Sequence, residues 1–210
     1  MELIDNYIID HIDQEPDLLK HIHRETQVKM LHGNMISGHL QGRLLKMLVH
    51  MIRPKKILEI GTFTGYSALC MAEALEDDAT LHTIEIDDEM EDIILNNFNK
   101  TPLGEKIELY IGDANKVILQ FENSSFDLVY IDGNKRDYWL NFETVLPKIK
   151  KGGFVIADNT LWHGKVVEKV KSNDWQTKGI LEFNNKLKND DRVEKVILPL
   201  RDGLTLIRKK

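Results

Sequence analysis

Apolar residues recur along this chain with two different periods. In GHLQGRLLKMLVHMIR, Leu40, Leu44, Leu48 and Met51 return every three to four positions, the spacing of one helix face, and the pattern stops before Pro54. Upstream, Pro16 fits a first helical turn, with Leu18, Leu19 and Ile22 at helical spacing behind it, so three helical segments are expected ahead of the first strand. Short apolar runs then take over. KKILEIG, TLHTIEI, KIELYIG, FDLVYID and GGFVIAD read as five buried strands, separated by helical stretches such as YSALCMAEAL and YWLNFETVLPKI. After a last helix in KGILEFNNKLKNDD, the runs VEKVILPL and LTLIRKK flank Arg201, Asp202 and Gly203 and predict a terminal β-hairpin. Strands alternating with helices predict an α/β fold: a doubly wound, mainly parallel, seven-stranded sheet with an antiparallel C-terminal hairpin and N-terminal helices.

At 210 residues and 42% hydrophobic, the chain supports one substantial core, and five prolines without a serine- or glycine-rich run leave no linker. A single domain over 1–210 is expected, with a helical segment of about 1–53 and a sheet core of about 54–210. The lone Cys70 lies in an apolar helical pattern and reads as a packed thiol of a reducing compartment. No run has the charged start and apolar stretch of a leader, nor membrane-spanning length, so a cytoplasmic protein is expected. The formal charge of −6 weighs against general attraction to polyanions but leaves room for a local basic patch. Lys148, Lys150, Lys151 and the later Lys165, Lys169 and Lys171 read as solvated turn and helix-end residues. His21, His23 and His32 fall in one helical segment at spacings that point them apart, which argues against a zinc site.

Two carboxylate positions carry the chemistry. Asp132 in VYIDGNK and the pair Asp158-Asn159 in FVIADNT each close an apolar strand, one strand–helix–strand unit apart. Right-handed crossovers set such strands side by side, with their carboxyl ends on the sheet edge where open α/β sheets bind ligands. Two aspartates and an asparagine amide, without Cys or His, suit a hard divalent cation such as Mg²⁺ better than zinc. Read without the rest of the chain, the same residues also fit a loop cap at Asp158 and a plain strand end at Asp132.

ILEIGTFTGYSA sets Gly61 and Gly65 between a strand and a helix, where backbone amides approach a ligand. The spacing ExGxxxG departs from the dinucleotide fingerprint, and Glu59 would repel a pyrophosphate while tolerating a cationic ligand. Glu85 ends the next strand, the place where Rossmann-like folds hold ribose hydroxyls with a carboxylate. Asp113 and Ala114, in IGDA, end the third strand and could line an adenine pocket.

Taken in order, ExGxxxG, the acid ending the second strand, GDA, the IDxxKxxY box and the DNTLW box resemble the S-adenosylmethionine-dependent O-methyltransferases of the caffeoyl-CoA and catechol O-methyltransferase group. The similarity runs from about Met35 to Lys210. It implies a single class I S-adenosylmethionine-dependent methyltransferase domain in which Met35 and Ser37 contact the methionine part of the cofactor. Glu59, Gly61, Thr62 and Ser67 would surround its amino and carboxylate groups, with Asp132 and Asn134 also on the cofactor side. Glu85 would hold the ribose, and Asp113 and Ala114 would flank adenine. Asp132, Asp158 and Asn159 match the metal ligands, and Lys135 matches the lysine near the reacting hydroxyl. The chain departs from the caffeoyl-CoA pattern at Asn134, where aspartate is common, at His163, where plant enzymes have a substrate-contacting asparagine, and at Arg201, which replaces a small residue.

A phenol with a pKa near ~10 is mostly protonated at neutral pH. A divalent cation, Mg²⁺ first and Mn²⁺ or Ca²⁺ next, lowers that pKa and chelates two neighbouring oxygens, so a catechol-like small molecule is the expected methyl acceptor. Lys135 is the expected proton acceptor or electrostatic partner. Trp162, His163 and Arg201 are expected to shape the substrate rim, Arg201 either meeting an acidic group or standing in solvent. A homodimer is expected from the resemblance and from the apolar segments ahead of the first strand. Transfer RNA with a hydroxylated wobble uridine is the alternative acceptor, since bacterial relatives of similar length act on it.

Overall fold

The computed structural model describes residues 2–210. Three helices come first: α1 (Glu2–His11), α2 (Asp17–Lys29) and α3 (His39–Ile52). The alternating core follows as β1 (Lys56–Ile60), α4 (Tyr66–Ala72), β2 (Thr80–Glu85), α5 (Glu91–Phe98), β3 (Ile107–Ile111), α6 (Ala114–Val117) and β4 (Phe126–Ile131). It continues with α7 (Tyr138–Val145), β5 (Ile149–Ala157), α8 (Trp175–Lys188), β6 (Val193–Leu198) and β7 (Leu204–Lys209). The seven strands form one sheet in the order β3-β2-β1-β4-β5-β7-β6. From β3 to β5 the pairing is parallel, and β7 runs antiparallel to both β5 and β6.

Alternation along each strand divides the core into two layers. Ile57, Leu128, Tyr130 and Ile156 face the side covered by α2, α3 and α4, whereas Leu58, Val129, Ile131 and Val155 face α7 and α8. The strand order reverses between β1 and β4, so the crevice of a doubly wound sheet opens beyond their carboxyl ends.

Several details differ from the expectations. The deepest face of α3 is Gln41, Leu45 and Val49. Leu44 and Leu48 are only partly buried and Met51 is exposed, so the apolar face is rotated by one residue from the expected stripe. His32 lies beyond the C-terminus of α2 and apart from the helix of His21 and His23. Strand β5 starts at Ile149, ahead of the glycines, because Ile149 pairs with Phe126 before a register shift carries the ladder past Gly152 and Gly153. The β3–β4 connection contains one short turn of helix, α6, and a 3-10 turn. Among the described residues no helix is long and apolar enough to cross a membrane.

Candidate active site

Strands β4 and β5 are hydrogen-bonded neighbours, with Ile131 opposite Ala157, so Asp132 and Asp158 leave the sheet side by side. Gly61 brings β1 into the same corner. Its φ is +97°, and a Cβ there would stand 2.5 Å from the Asp132 carbonyl oxygen, so only glycine permits this approach.

Lys135, in the turn after β4, is buried with its ammonium between two partners. Its Nζ donates to Asp132 Oδ1 at 2.8 Å and to the Tyr138 hydroxyl at 2.8 Å. The Tyr138 hydroxyl donates to the Asp158 carbonyl at 2.9 Å, tying the lysine turn to β5. Tyr138 is itself fully buried, so it anchors Lys135 from the core. Asp158 is enclosed by donors: Gln41 Nε2 at 2.6 Å and the Tyr130 hydroxyl at 3.1 Å reach Oδ2, and the Asn159 amide reaches Oδ1 at 2.7 Å. Burial pushes the Asp132 carboxyl up to about 6, the Asp158 charge adding to the shift while Lys135 opposes it.

These residues fit a hard cation. Two carboxylates at neighbouring strand ends repel each other unless positive charge lies near them, and the adjacent Asn159 side chain would add a neutral oxygen. No group of three or more His, Cys, Asp or Glu side chains comes together among the described residues, so a cation here would need the Asn159 side-chain oxygen as a third ligand, unlike a zinc cluster.

The other predicted residues border the same edge. Glu85 is buried at the end of β2, where its carboxylate accepts backbone N–H bonds from Phe63 at 2.7 Å, Ile86 at 2.9 Å and Asp87 at 3.0 Å. Asp113 caps α6 through the Asn115 amide, and Ala114 follows it half-buried. Asn134 is exposed and caps the Lys135 turn through the Arg136 amide at 3.3 Å. Met35 is exposed, whereas Ser37 and Thr62 are buried.

Glu59 is fully enclosed. Ser67 Oγ donates to one oxygen at 2.6 Å and Thr83 Oγ1 to the other at 2.5 Å, and Thr62 joins the chain through Thr83 at 2.6 Å. Desolvation pushes its carboxyl up to about 8, against the pull of the two hydroxyls. With that carboxyl near 8, the folded protein would hold a proton that the unfolded chain releases near the ordinary value of 4.5. The stability tied to that proton is present below about pH 4.5 and is lost as pH rises towards 8, by at most about 1.4 kcal/mol per unit. Glu59→Gln should flatten the fall of melting temperature across that range. A variant with the wild-type slope would show that Glu59 is ionised in the native state.

His163 and Arg201 line one cleft of about 470 Å³, with Leu161, Val166, Val167 and Asp202. His163 has φ +53°, its backbone amide donates to Asp202, and its ring is exposed. Trp162 is half-buried, with the Lys165 ammonium 5.9 Å from its ring centroid. Arg201 has its guanidinium committed, donating to Gln41 Oε1 at 2.9 Å and to the Ile36 carbonyl at 3.3 Å. Gln41 and Tyr130 escaped the sequence reading. The available signal was a polar residue inside an apolar helix face and a tyrosine two positions before a candidate ligand.

A family model described as O-methyltransferase matches residues 9–210. The chain belongs to the O-methyltransferase family. Probable caffeoyl-CoA O-methyltransferase 2 of Dictyostelium discoideum is 34% identical over 208 residues, covering 97% of this chain and 90% of the relative. Caffeoyl-CoA O-methyltransferase 2 of Zea mays is 35% identical over 215 residues, covering 97% and 81%. The O-methyltransferase TomG from Streptomyces achromogenes, solved in complex with SAM, superposes with a TM-score of 0.91 at 25% identity over 99% of this chain and 96% of its own. This O-methyltransferase is an enzyme of the S-adenosylmethionine-dependent class.

Proposed function

We propose that this chain transfers the methyl group of S-adenosylmethionine to one hydroxyl of a catechol-like small molecule at a site formed by Asp132, Asp158 and Asn159. The observation that carries this reading is Lys135 Nζ, 2.8 Å from Asp132 Oδ1, at a strand end that neighbours the one carrying Asp158. Asp132, Asp158 and Asn159 would hold a divalent cation, Mg²⁺ first and Mn²⁺ or Ca²⁺ next, whose positive charge would acidify a neighbouring hydroxyl of a vicinal pair. As a neutral amine Lys135 could take up the hydroxyl proton, whereas as the ammonium that donates to Asp132 it would stabilise the developing charge. The likeness to relatives named for caffeoyl-CoA supports a phenolic acceptor.

The cofactor would lie across the ends of β1, β2 and β3. Glu85, already oriented by three backbone amides, would accept the ribose hydroxyls, with Asp113 and Ala114 at the adenine. Met35, Ser37, Gly61, Thr62 and Asn134 would line the methionine part. Glu59 would act on that part through Ser67 and the threonine chain, since both its oxygens are taken by hydroxyls. Trp162, His163 and Arg201 would shape the acceptor rim.

Methyl transfer measured on a panel of catechols and on transfer RNA carrying a hydroxylated wobble uridine tests the acceptor. Turnover confined to the RNA would replace the small-molecule reading. Leu3, Ile4 and Tyr7 on α1 and Val28 on α2 are exposed apolar residues that suit a homodimer contact. Sedimentation should then return about twice the 24.3 kDa chain mass, and a monomer at micromolar concentration would count against it.

A further inference from the structure

Gln41 is 1% exposed, and every hydrogen-bonding group of its amide is in use. Its Oε1 accepts from Arg201, whose guanidinium can only donate, so the orientation of the amide is settled: Nε2 points towards Asp158. One N–H reaches Asp158 Oδ2 at 2.6 Å and the other reaches the Tyr130 hydroxyl at 2.8 Å. Tyr130 then donates to the same Oδ2 at 3.1 Å. A carboxylate oxygen offers about two lone-pair directions. Oδ2 therefore has both in use, whereas Oδ1 accepts only the Asn159 backbone amide at 2.7 Å and keeps one free.

We propose that Gln41, held by Arg201 of the terminal hairpin and acting with Tyr130, is a positioning residue that blocks Asp158 Oδ2 and leaves Oδ1 as the one oxygen of Asp158 open to a divalent cation. This rests on the cation reading of the site. It adds a requirement that the ligand residues alone do not carry: a helix ahead of the first strand and the last turn of the chain must meet for Asp158 to be aimed. The arrangement also accounts for a guanidinium that turns inward from a β-turn, at a backbone φ of +47°, to bond an amide and a carbonyl.

A purely packing role for Gln41 predicts something different. It would lower the melting temperature of a variant without changing its cation affinity. The deciding measurement is Mn²⁺ binding by calorimetry on the full chain, set beside thermal melting. Gln41→Met keeps the volume and removes both donors; Tyr130→Phe keeps the ring and removes the second donor, and decides the matter if Gln41→Met does not fold. Each should weaken Mn²⁺ binding by about tenfold or more, the range seen when groups that orient a ligand are removed. Wild-type affinity in the folded variants would overturn the proposal while leaving the cation reading in place. A wild-type chain that binds no Mn²⁺ would overturn the cation reading, and this inference with it.

Discussion

Removing divalent cations should abolish methyl transfer, and adding back Mg²⁺ or Mn²⁺ should restore it. At pH 7 a phenol with a pKa near ~10 is ionised to only about one part in a thousand, so losing the acidifying charge exposes a rate deficit of up to roughly a thousandfold. Lys135 cannot supply that charge alone, because its ammonium is already spent on Asp132 and on the Tyr138 hydroxyl. The half-buried Asp132 and the buried Asp158 would moreover face an anionic oxygen with net negative charge, which opposes its formation. Cofactor binding should change little, since Glu85 ends β2 and Asp113 follows β3, both on the far side of β1 from the β4–β5 edge. Calorimetry of S-adenosylmethionine with and without EDTA, beside turnover on the same samples, separates the two effects. Full turnover after rigorous chelation would move the chemistry to a metal-independent acid–base mechanism on Lys135.

Much of this site was legible because its parts are local in sequence or one crossover apart. Asp132 and Asp158 each end an apolar run, and parallel neighbours must bring such ends together. Lys135 sits three residues after Asp132, close enough for a turn to fold it back onto the carboxylate. The strands were legible for a related reason, since short, mainly apolar runs of five or six residues suit a sheet buried on both faces. What escaped was long-range. Nothing near Gln41 indicates that Arg201 will bond it from the far end of the chain, or that Asp158 will accept its amide. Glu59 was placed at the cofactor by its motif, but its enclosure by Ser67 and Thr83 depends on how α4 and β2 pack around β1. Strand β5 began earlier than expected because Lys150, Lys151, Gly152 and Gly153 read as a turn, whereas the ladder tolerates them at an irregularity against β4.

Lys135→Met should lower kcat by about 10²–10⁴-fold, the usual contribution of a positioned proton-transfer group. The lysine is not held by its own turn alone. Gly179 of α8 packs so closely on it that a Cβ would lie 2.3 Å from the Lys135 carbonyl oxygen, so the backbone is clamped between helix and strand end. Methionine keeps the apolar stem and leaves that clamp intact, while Asp132 loses its 2.8 Å partner. A fall in kcat with melting temperature and cofactor affinity near wild type would place the loss in the chemical step. Lys135→Arg then separates the two roles. Arginine keeps a positive charge, but with a pKa above 12 it does not accept a proton. If Lys135 serves by charge alone, arginine should recover a large part of the rate that methionine loses. If it takes the hydroxyl proton, arginine should be nearly as slow as methionine, although it can still pair with Asp132. Wild-type kcat in Lys135→Met would remove the lysine from the reaction altogether and leave its contacts with Asp132 and Tyr138 as a brace for the corner where β4 meets β5.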